Sequence, residues 1–213
     1  MKIAVVDYGM GNLRSVTKAL EHVAGNDAQI ILTDDPAVVA SADKVVFPGQ
    51  GAMPDCMREL EQRGLKQVVL DAARSKPFLG ICVGAQLLFE FSEEGNTPGL
   101  GVFKGKVVRF PADKMHDEHG QKLKVPHMGW NEMFIVHEHP LWAGIPEGER
   151  FYFVHSYHFV PAEDIAVIES AYPYRFAAAV ARANIFAIQC HPEKSHHAGL
   201  KLLENFVHWN GCY

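Results

Sequence analysis

Lys76-Pro77-Phe78-Leu79-Gly80-Ile81-Cys82-Val83-Gly84-Ala85-Gln86-Leu87-Leu88-Phe89 reads as a buried strand, a tight turn and the start of a helix, with a cysteine at the tip of the turn between two glycines. That is the pattern of a nucleophile elbow with sulfur in place of the usual hydroxyl. Such a turn holds its nucleophile in a strained backbone conformation and exposes the side chain. Gly80 and Gly84 lack a Cβ, so strand and helix can approach closely. A helix N-terminus beyond Cys82, with free N–H groups, would favour a thiolate. A buried structural cysteine fits the same stretch, and by itself the segment leaves both readings open. The predicted helix after Cys82 ends near Gly95.

Working outward, the segments before this elbow alternate strand and helix. Ile3-Ala4-Val5-Val6 is an apolar run ending at Asp7-Tyr8-Gly9-Met10-Gly11-Asn12, and Leu13, Val16, Leu20 and Val23 fall on one helical face. Gly9-x-Gly11 lacks the third glycine of a dinucleotide fingerprint, because Arg14 stands there, so it is read as a tight turn. Ile30-Ile31-Leu32 and Lys44-Val45-Val46-Phe47 are further strands, and Asp34-Asp35-Pro36 opens a short helix. The third strand runs into Pro48-Gly49-Gln50-Gly51-Ala52, a second glycine loop at a strand's carboxyl end, where open α/β sheets place ligands. Met53 to Leu70 is one or two helices broken near Gly64.

After residue 95 the texture changes. Leu100 to Phe110 is β-like, and Pro111 to Lys124 is a polar exposed loop or hairpin. Strands then follow one another: Trp130 to Val136, Arg150 to Val154, Tyr157 to Val160, Ile165 to Ala171, Phe176 to Arg182 and Ile185 to Cys190. A final amphipathic helix runs from Ser195 to Trp209. The expected fold class is α/β: a mostly parallel central sheet flanked by helices, with an antiparallel β extension in the second half. One domain over residues 1–213 is the expected organisation.

Composition narrows the classes. Hydrophobic content of 48% and charged content of 21% are those of a globular domain. A net charge of −5 gives no basic footprint, so nucleic acid is not an expected partner. No apolar run reaches the ~18 residues of a membrane span, and Asp7 arrives too early for a signal peptide. A cytoplasmic location is expected. The four cysteines, Cys56, Cys82, Cys190 and Cys212, form no C-x-x-C pair and are read as reduced thiols. His116/His119 and His196/His197 cluster among the twelve histidines, but nothing completes a zinc signature, and neither metal nor cofactor is expected.

A thiol with a pKa near ~8.5 needs a base, and that base needs an orienting group. Gln189-Cys190-His191-Pro192-Glu193-Lys194-Ser195 supplies both at the end of another strand. On an extended segment His191 and Glu193 would point the same way, and Cys190 away from them. His-Pro-Glu alone fits a solvated turn equally well. Joined to the Cys82 elbow it makes a Cys–His–Glu acyl-transfer apparatus. The N–H of Val83 and the Gly49–Gly51 loop, with Gly51 foremost, would form the oxyanion hole.

Gly80-Ile81-Cys82-Val83-Gly84-Ala85-Gln86 together with His191-Pro192-Glu193 resembles the class I, or triad, glutamine amidotransferases. Within that class, three further segments are similar to the glutaminase subunits of imidazole glycerol phosphate synthases: Asp7 to Val16, Pro126-His127-Met128-Gly129-Trp130-Asn131 and Tyr152-Phe153-Val154-His155-Ser156-Tyr157. The resemblance implies that Cys82 attacks the amide of L-glutamine, that His191 protonates ammonia and then activates water, and that Glu193 orients His191. It implies substrate contacts at Gln86, Ser156 and Tyr157. It also implies a heterodimer with a (β/α)8-barrel cyclase subunit, which takes up the ammonia in histidine biosynthesis. Asn12, His127, Met128, Trp130, Tyr152 and Lys194 match positions facing that partner. The chain departs from the family pattern at Gln50, where valine is usual, at Val83 and Ala85 on the elbow, and at Cys190 and His158.

Overall fold

The computed structural model describes residues 1–117 and 119–213. Its first half is built from β1 (Lys2–Val6), α1 (Leu13–Ala24), β2 (Gln29–Thr33), α2 (Pro36–Ser41), β3 (Lys44–Gly49), α3 (Met53–Gln62), α4 (Lys66–Ser75) and β4 (Phe78–Cys82). These four strands run parallel in the order β2-β1-β3-β4. The order reverses at β1, and right-handed crossovers then put α1 on one face of the sheet and α2 and α4 on the other. The packing agrees: α2 lies against α4, and α1 lies against the C-terminal helix.

Local chemistry accounts for the boundaries. The Asp35 carboxylate accepts a hydrogen bond from the Ala37 N–H (2.8 Å) and caps α2, with Pro36 in the first helical position. Gly64, at φ +67°, separates α3 from α4. Gly9 and Gly11 both take positive φ, so the first glycine loop is a tight turn, as read from the sequence.

Beyond Cys82 the chain departs from expectation. The helix does not run to Gly95. Only one helical turn forms, α5 (Val83–Gln86), followed by β5 (Phe89–Ser92) and the two-residue β6 (Thr97–Pro98). The returning chain explains this. The N–H groups of Leu100, Val102, Phe103 and Gly101 donate to the carbonyls of Leu87, Leu88 and Phe89, which a continuing helix would have used.

The second half contributes β7 (Phe103–Arg109), β8 (His127–Glu132), β9 (Phe134–Ile135), β10 (Arg150–His155), β11 (Tyr157–Pro161), β12 (Ala166–Ala171), β13 (Arg175–Arg182), β14 (Ile185–Ile188) and α6 (His196–His208). Strand β14 returns to lie parallel beside β4, with Ile188 opposite Ile81. The sheet then continues antiparallel through β13, β11 and β7; β5 joins β7 in parallel, and β6 pairs antiparallel with β5 at the far edge. Strands β8 and β10 form a separate antiparallel ribbon. The expected strand from Trp130 to Val136 is thus two strands in different sheets. Strands β3, β4 and β14 are buried along their whole length. Lys44, at the start of β3, turns its ammonium to the carbonyls of Phe206, Val207 and Trp209 and satisfies the C-terminus of α6.

Candidate active site

The carboxyl ends of β3, β4 and β14 lie side by side and deliver the Gly49–Gly51 loop, Cys82 and His191 to one cleft. Cys82 has φ +55° and ψ −117°, a conformation L-residues rarely adopt. Its neighbours permit it. A Cβ on Gly84 would land on the carbonyl of Phe47, and one on Gly49 would meet the Tyr8 hydroxyl and the Gly84 N–H. The elbow therefore packs directly on β3.

His191 Nδ1–H donates to Glu193 Oε1 at 2.8 Å, and the two side chains are 4% and 1% exposed. They meet through a 3₁₀ turn, Pro192–Lys194, and not through the strand alternation expected from the sequence. Burial would lower the pKa of His191. The neighbouring Cys82 and the hydrogen-bonded Glu193 outweigh it and raise the imidazole to about 10. Its buried Nε2 is left for Cys82, with no other hydrogen-bond partner among the described residues. The backbone of this turn is tied down: the His191 N–H donates to Tyr152 O (2.9 Å), and the Ser195 hydroxyl donates to His191 O (2.6 Å).

The cleft, of about 310 Å³, is lined by Gln50, Gly51, Cys82, Val83, Gln86, Glu94, Ser156, Tyr157 and His191, among others. All the sequence-expected oxyanion and substrate positions therefore border one cavity with the cysteine and the histidine. Gly51 takes φ +103°. Gln50 is exposed, and its carbonyl accepts a hydrogen bond from the Cys56 thiol at 3.5 Å. Gln86 Nε2 donates to Gln189 Oε1 (3.0 Å) and to Tyr157 O (3.3 Å).

Two side chains escaped the sequence reading. Gln189 is fully buried and directs its Nε2–H to Cys82 Sγ at 3.9 Å, bridging Gln86 and the thiol. Alternation along 187–191 puts Gln189 on the side of His191 and was the available signal. Glu94 is, among the described residues, the carboxylate in the cavity wall, and it also accepts from the Met53 N–H at 2.9 Å. Nothing local marked it, since it lies in the stretch read as helix. Cys190 is fully buried, and burial pushes its thiol far up.

The positions matched to a partner surface divide. Met128 (67% exposed) and Trp130 (42%) stand out of the β8–β10 ribbon. Trp130 sits edge-on to Tyr152 and stacks on His196 at 4.7 Å, and the Lys194 ammonium lies 6.0 Å over the Tyr152 ring. Asn12 is half-buried at the start of α1 and makes no side-chain cap. His127 does not share that surface: it is 4% exposed, beneath the patch, with its ring stacked between Phe153 and Tyr172. Among the described residues no group of three or more His, Cys, Asp or Glu is placed to hold a metal ion.

A cysteine on a strained strand–turn elbow thus lies in one cleft with a histidine–carboxylate pair at the end of the adjacent parallel strand. The model of the glutamine amidotransferase class-I family matches residues 4–209. Fold neighbours include the crystal structure of a glutamine amidotransferase (TM-score 0.70, 16% identity, 97% of this chain and 99% of that one). PurLQS from Thermotoga maritima is another (TM-score 0.68, 20% identity, 97% of each chain). Sequence relatives are nearer. The imidazole glycerol phosphate synthase subunit HisH of Chromobacterium violaceum is 63% identical over 212 residues, covering 99% of both chains. That of Aromatoleum aromaticum is 65% identical over 208 residues, covering 97% of this chain and 98% of its own. The chain belongs to the class I glutamine amidotransferases and, within them, to the family of imidazole glycerol phosphate synthase subunit HisH.

Proposed function

We propose that this chain hydrolyses L-glutamine through a Cys82 thioester and passes the ammonia to a (β/α)8-barrel cyclase subunit, as the glutaminase half of an imidazole glycerol phosphate synthase. The observation that carries the mechanism is the convergence of Cys82, the His191–Glu193 pair, Gly51 and Gln86 on one cleft. Cys82 Sγ attacks the side-chain amide carbon, and the oxyanion that develops is met by the N–H of Val83 and the Gly51 loop. His191 gives its proton to the leaving nitrogen, so ammonia departs and the thioester remains. His191 then takes a proton from water as the hydroxyl adds to the thioester, and glutamate leaves with Cys82 restored. Glu193 keeps Nδ1 protonated throughout, which leaves Nε2 for both transfers.

Gln86 and the Tyr157 backbone hold the substrate, and Glu94 is placed to receive its α-ammonium. Ammonia leaves beside the ribbon that carries Met128, Trp130 and Tyr152. Aromatic and methionine side chains around a site mouth suit a protein partner, and Asn12 and Lys194 border the same contact. Histidine biosynthesis is the pathway this reading assigns, with imidazole glycerol phosphate and an aminoimidazole carboxamide ribotide as the partner's products. The test is glutamate release by the complex with the cyclase subunit. Cys82→Ser is expected to lose activity by at least about 10³-fold while still binding the partner. Full activity in that variant would remove Cys82 from the mechanism, and ammonia transfer only to a different synthase would remove the pathway.

A further inference from the structure

Asn131, His127 and His155 connect the exposed ribbon to the cleft by an unbroken run of side-chain hydrogen bonds. Asn131 Nδ2 lies 3.4 Å from His127 Nε2, His127 Nδ1 lies 2.9 Å from His155 Nε2, and His155 Nδ1 lies 2.7 Å from Tyr157 O. Only one assignment of protons satisfies all three. A carbonyl can only accept, so His155 carries its proton on Nδ1 and is an acceptor at Nε2. His127 must then donate from Nδ1 and accept at Nε2, and the Asn131 amide donates to it. The second amide hydrogen of Asn131 goes to Ala171 O at 2.6 Å, and its Oδ1 accepts from the Glu132 N–H at 2.9 Å, so this orientation of the amide is also imposed.

Both rings are locked against rotation. His127 is stacked on Tyr172 at 4.0 Å on one side and on Phe153 at 5.0 Å on the other. His155 meets Phe110 and Phe176 at 5.1 and 5.4 Å. Burial keeps the rings neutral, pushing His127 to about 4 and His155 to about 3; on His155 the Tyr157 carbonyl opposes it, and the neighbouring His127, His158 and His191 add to it. Neutrality is what the proton assignment requires. The chain ends at the Tyr157 carbonyl in the cavity wall, the group to which Gln86 also donates.

We propose that Asn131, His127 and His155 form a one-directional hydrogen-bond chain that positions the Tyr157 carbonyl, and through it Gln86, for the substrate amide. The proposal rests on the glutaminase reading of the cleft. His127 and His155 are positioning residues: His155 borders the cleft that holds Cys82 and His191, and His127 hydrogen-bonds to it from beneath the ribbon. Strand β8 supplies both Asn131 and the exposed Trp130, so the chain also anchors the pocket to the ribbon.

The test has two arms. In the native chain, nitrogen-15 NMR of labelled histidines at pH 7 is expected to show His127 and His155 neutral and protonated at Nδ1. An Nε2–H tautomer or an imidazolium in either ring overturns the proposal. In the complex with the cyclase, His127→Phe keeps the stack but removes the donor. The loss of one such bond is expected to raise KM for glutamine about 3- to 10-fold with kcat within about two-fold. His127→Asn, whose amide can donate from near the Nδ1 position, is expected to recover part of the change. An unchanged KM in His127→Phe, or no recovery in His127→Asn, overturns the positioning role. If His127→Phe does not fold, the NMR arm decides alone. Failure of the glutaminase reading itself would show separately, as absence of glutamine turnover in the native complex.

Discussion

Cys82 takes φ +55° where Gly84 packs on Phe47 and Gly49 of β3, and His191 is held by a 2.8 Å hydrogen bond to a carboxylate that solvent does not reach. The neighbouring Cys82 first, and that bond after it, raise the imidazole against the effect of burial. The folded-state pKa of His191, about 10, lies above the ~6.5 of an unfolded histidine. The stabilisation it represents is therefore complete below about pH 6.5 and is lost as pH rises toward 10. Glu193→Gln removes the part of it that the carboxylate supplies, leaving the larger part from Cys82. The difference in urea midpoint between native chain and variant is expected to be largest near pH 6 and to narrow by pH 10; a difference independent of pH would contradict this. Turnover should fall by roughly 10²-fold or more, because Nδ1 is no longer held protonated.

At the level of elements, the elbow is a joint between β4, α5 and β3 with no room for a methyl group. Gly84 and Gly64 separate two reasons for a glycine. A methyl on Gly84 would coincide with the backbone carbonyl of Phe47, which cannot move without displacing β3. Gly64 has open space around it but takes φ +67°. Gly84→Ala is expected to cost about 3 kcal/mol or more, or to prevent folding. Gly64→Ala should cost only about 1 kcal/mol. Urea unfolding of the two variants checks this, and comparable losses would mean the elbow is looser than its contacts indicate. The single turn of α5 belongs to the same joint. Apolar residues 87–89 carry no helix-breaking signal, and the strand that replaced the expected helix exists because the chain at 99–103 takes its carbonyls.

Over the whole molecule, burial of histidines has a consequence for acid stability. His127, His139, His155 and His158 all have lowered pKa values, chiefly through burial, with His139 at about 4. Each takes up a proton on unfolding once the pH drops below ~6.5, so stability falls as pH falls from there toward 4. The slope reaches at most about 1.4 kcal/mol per pH unit for each such group. Thermal unfolding between pH 7 and 4.5 should show it, and His139→Phe should flatten it; an equal slope in that variant would place the acid sensitivity elsewhere. No helix among the described residues is long and apolar enough to cross a membrane. The exposed apolar side chains Met128 and Trp130 lie together on the ribbon that ends at the cleft.

Much of this protein was legible along the chain, for a physical reason. Strand and helix in the first half follow from apolar periodicity and from glycine, proline and aspartate at turns, all short-range effects. The Cys82 elbow and the His191–Glu193 pair are likewise each encoded within a few residues. What folding alone decided is proximity between segments far apart in sequence. The seating of β14 beside β4 brings residues 82 and 191 into one cleft. Gln189 meets Cys82, and Glu94 enters the cavity wall, for the same reason. His127 shows the limit most clearly: its motif is local, but whether it faces solvent or lies between Phe153 and Tyr172 depends on side chains 26 and 45 positions away, and packing placed it inside.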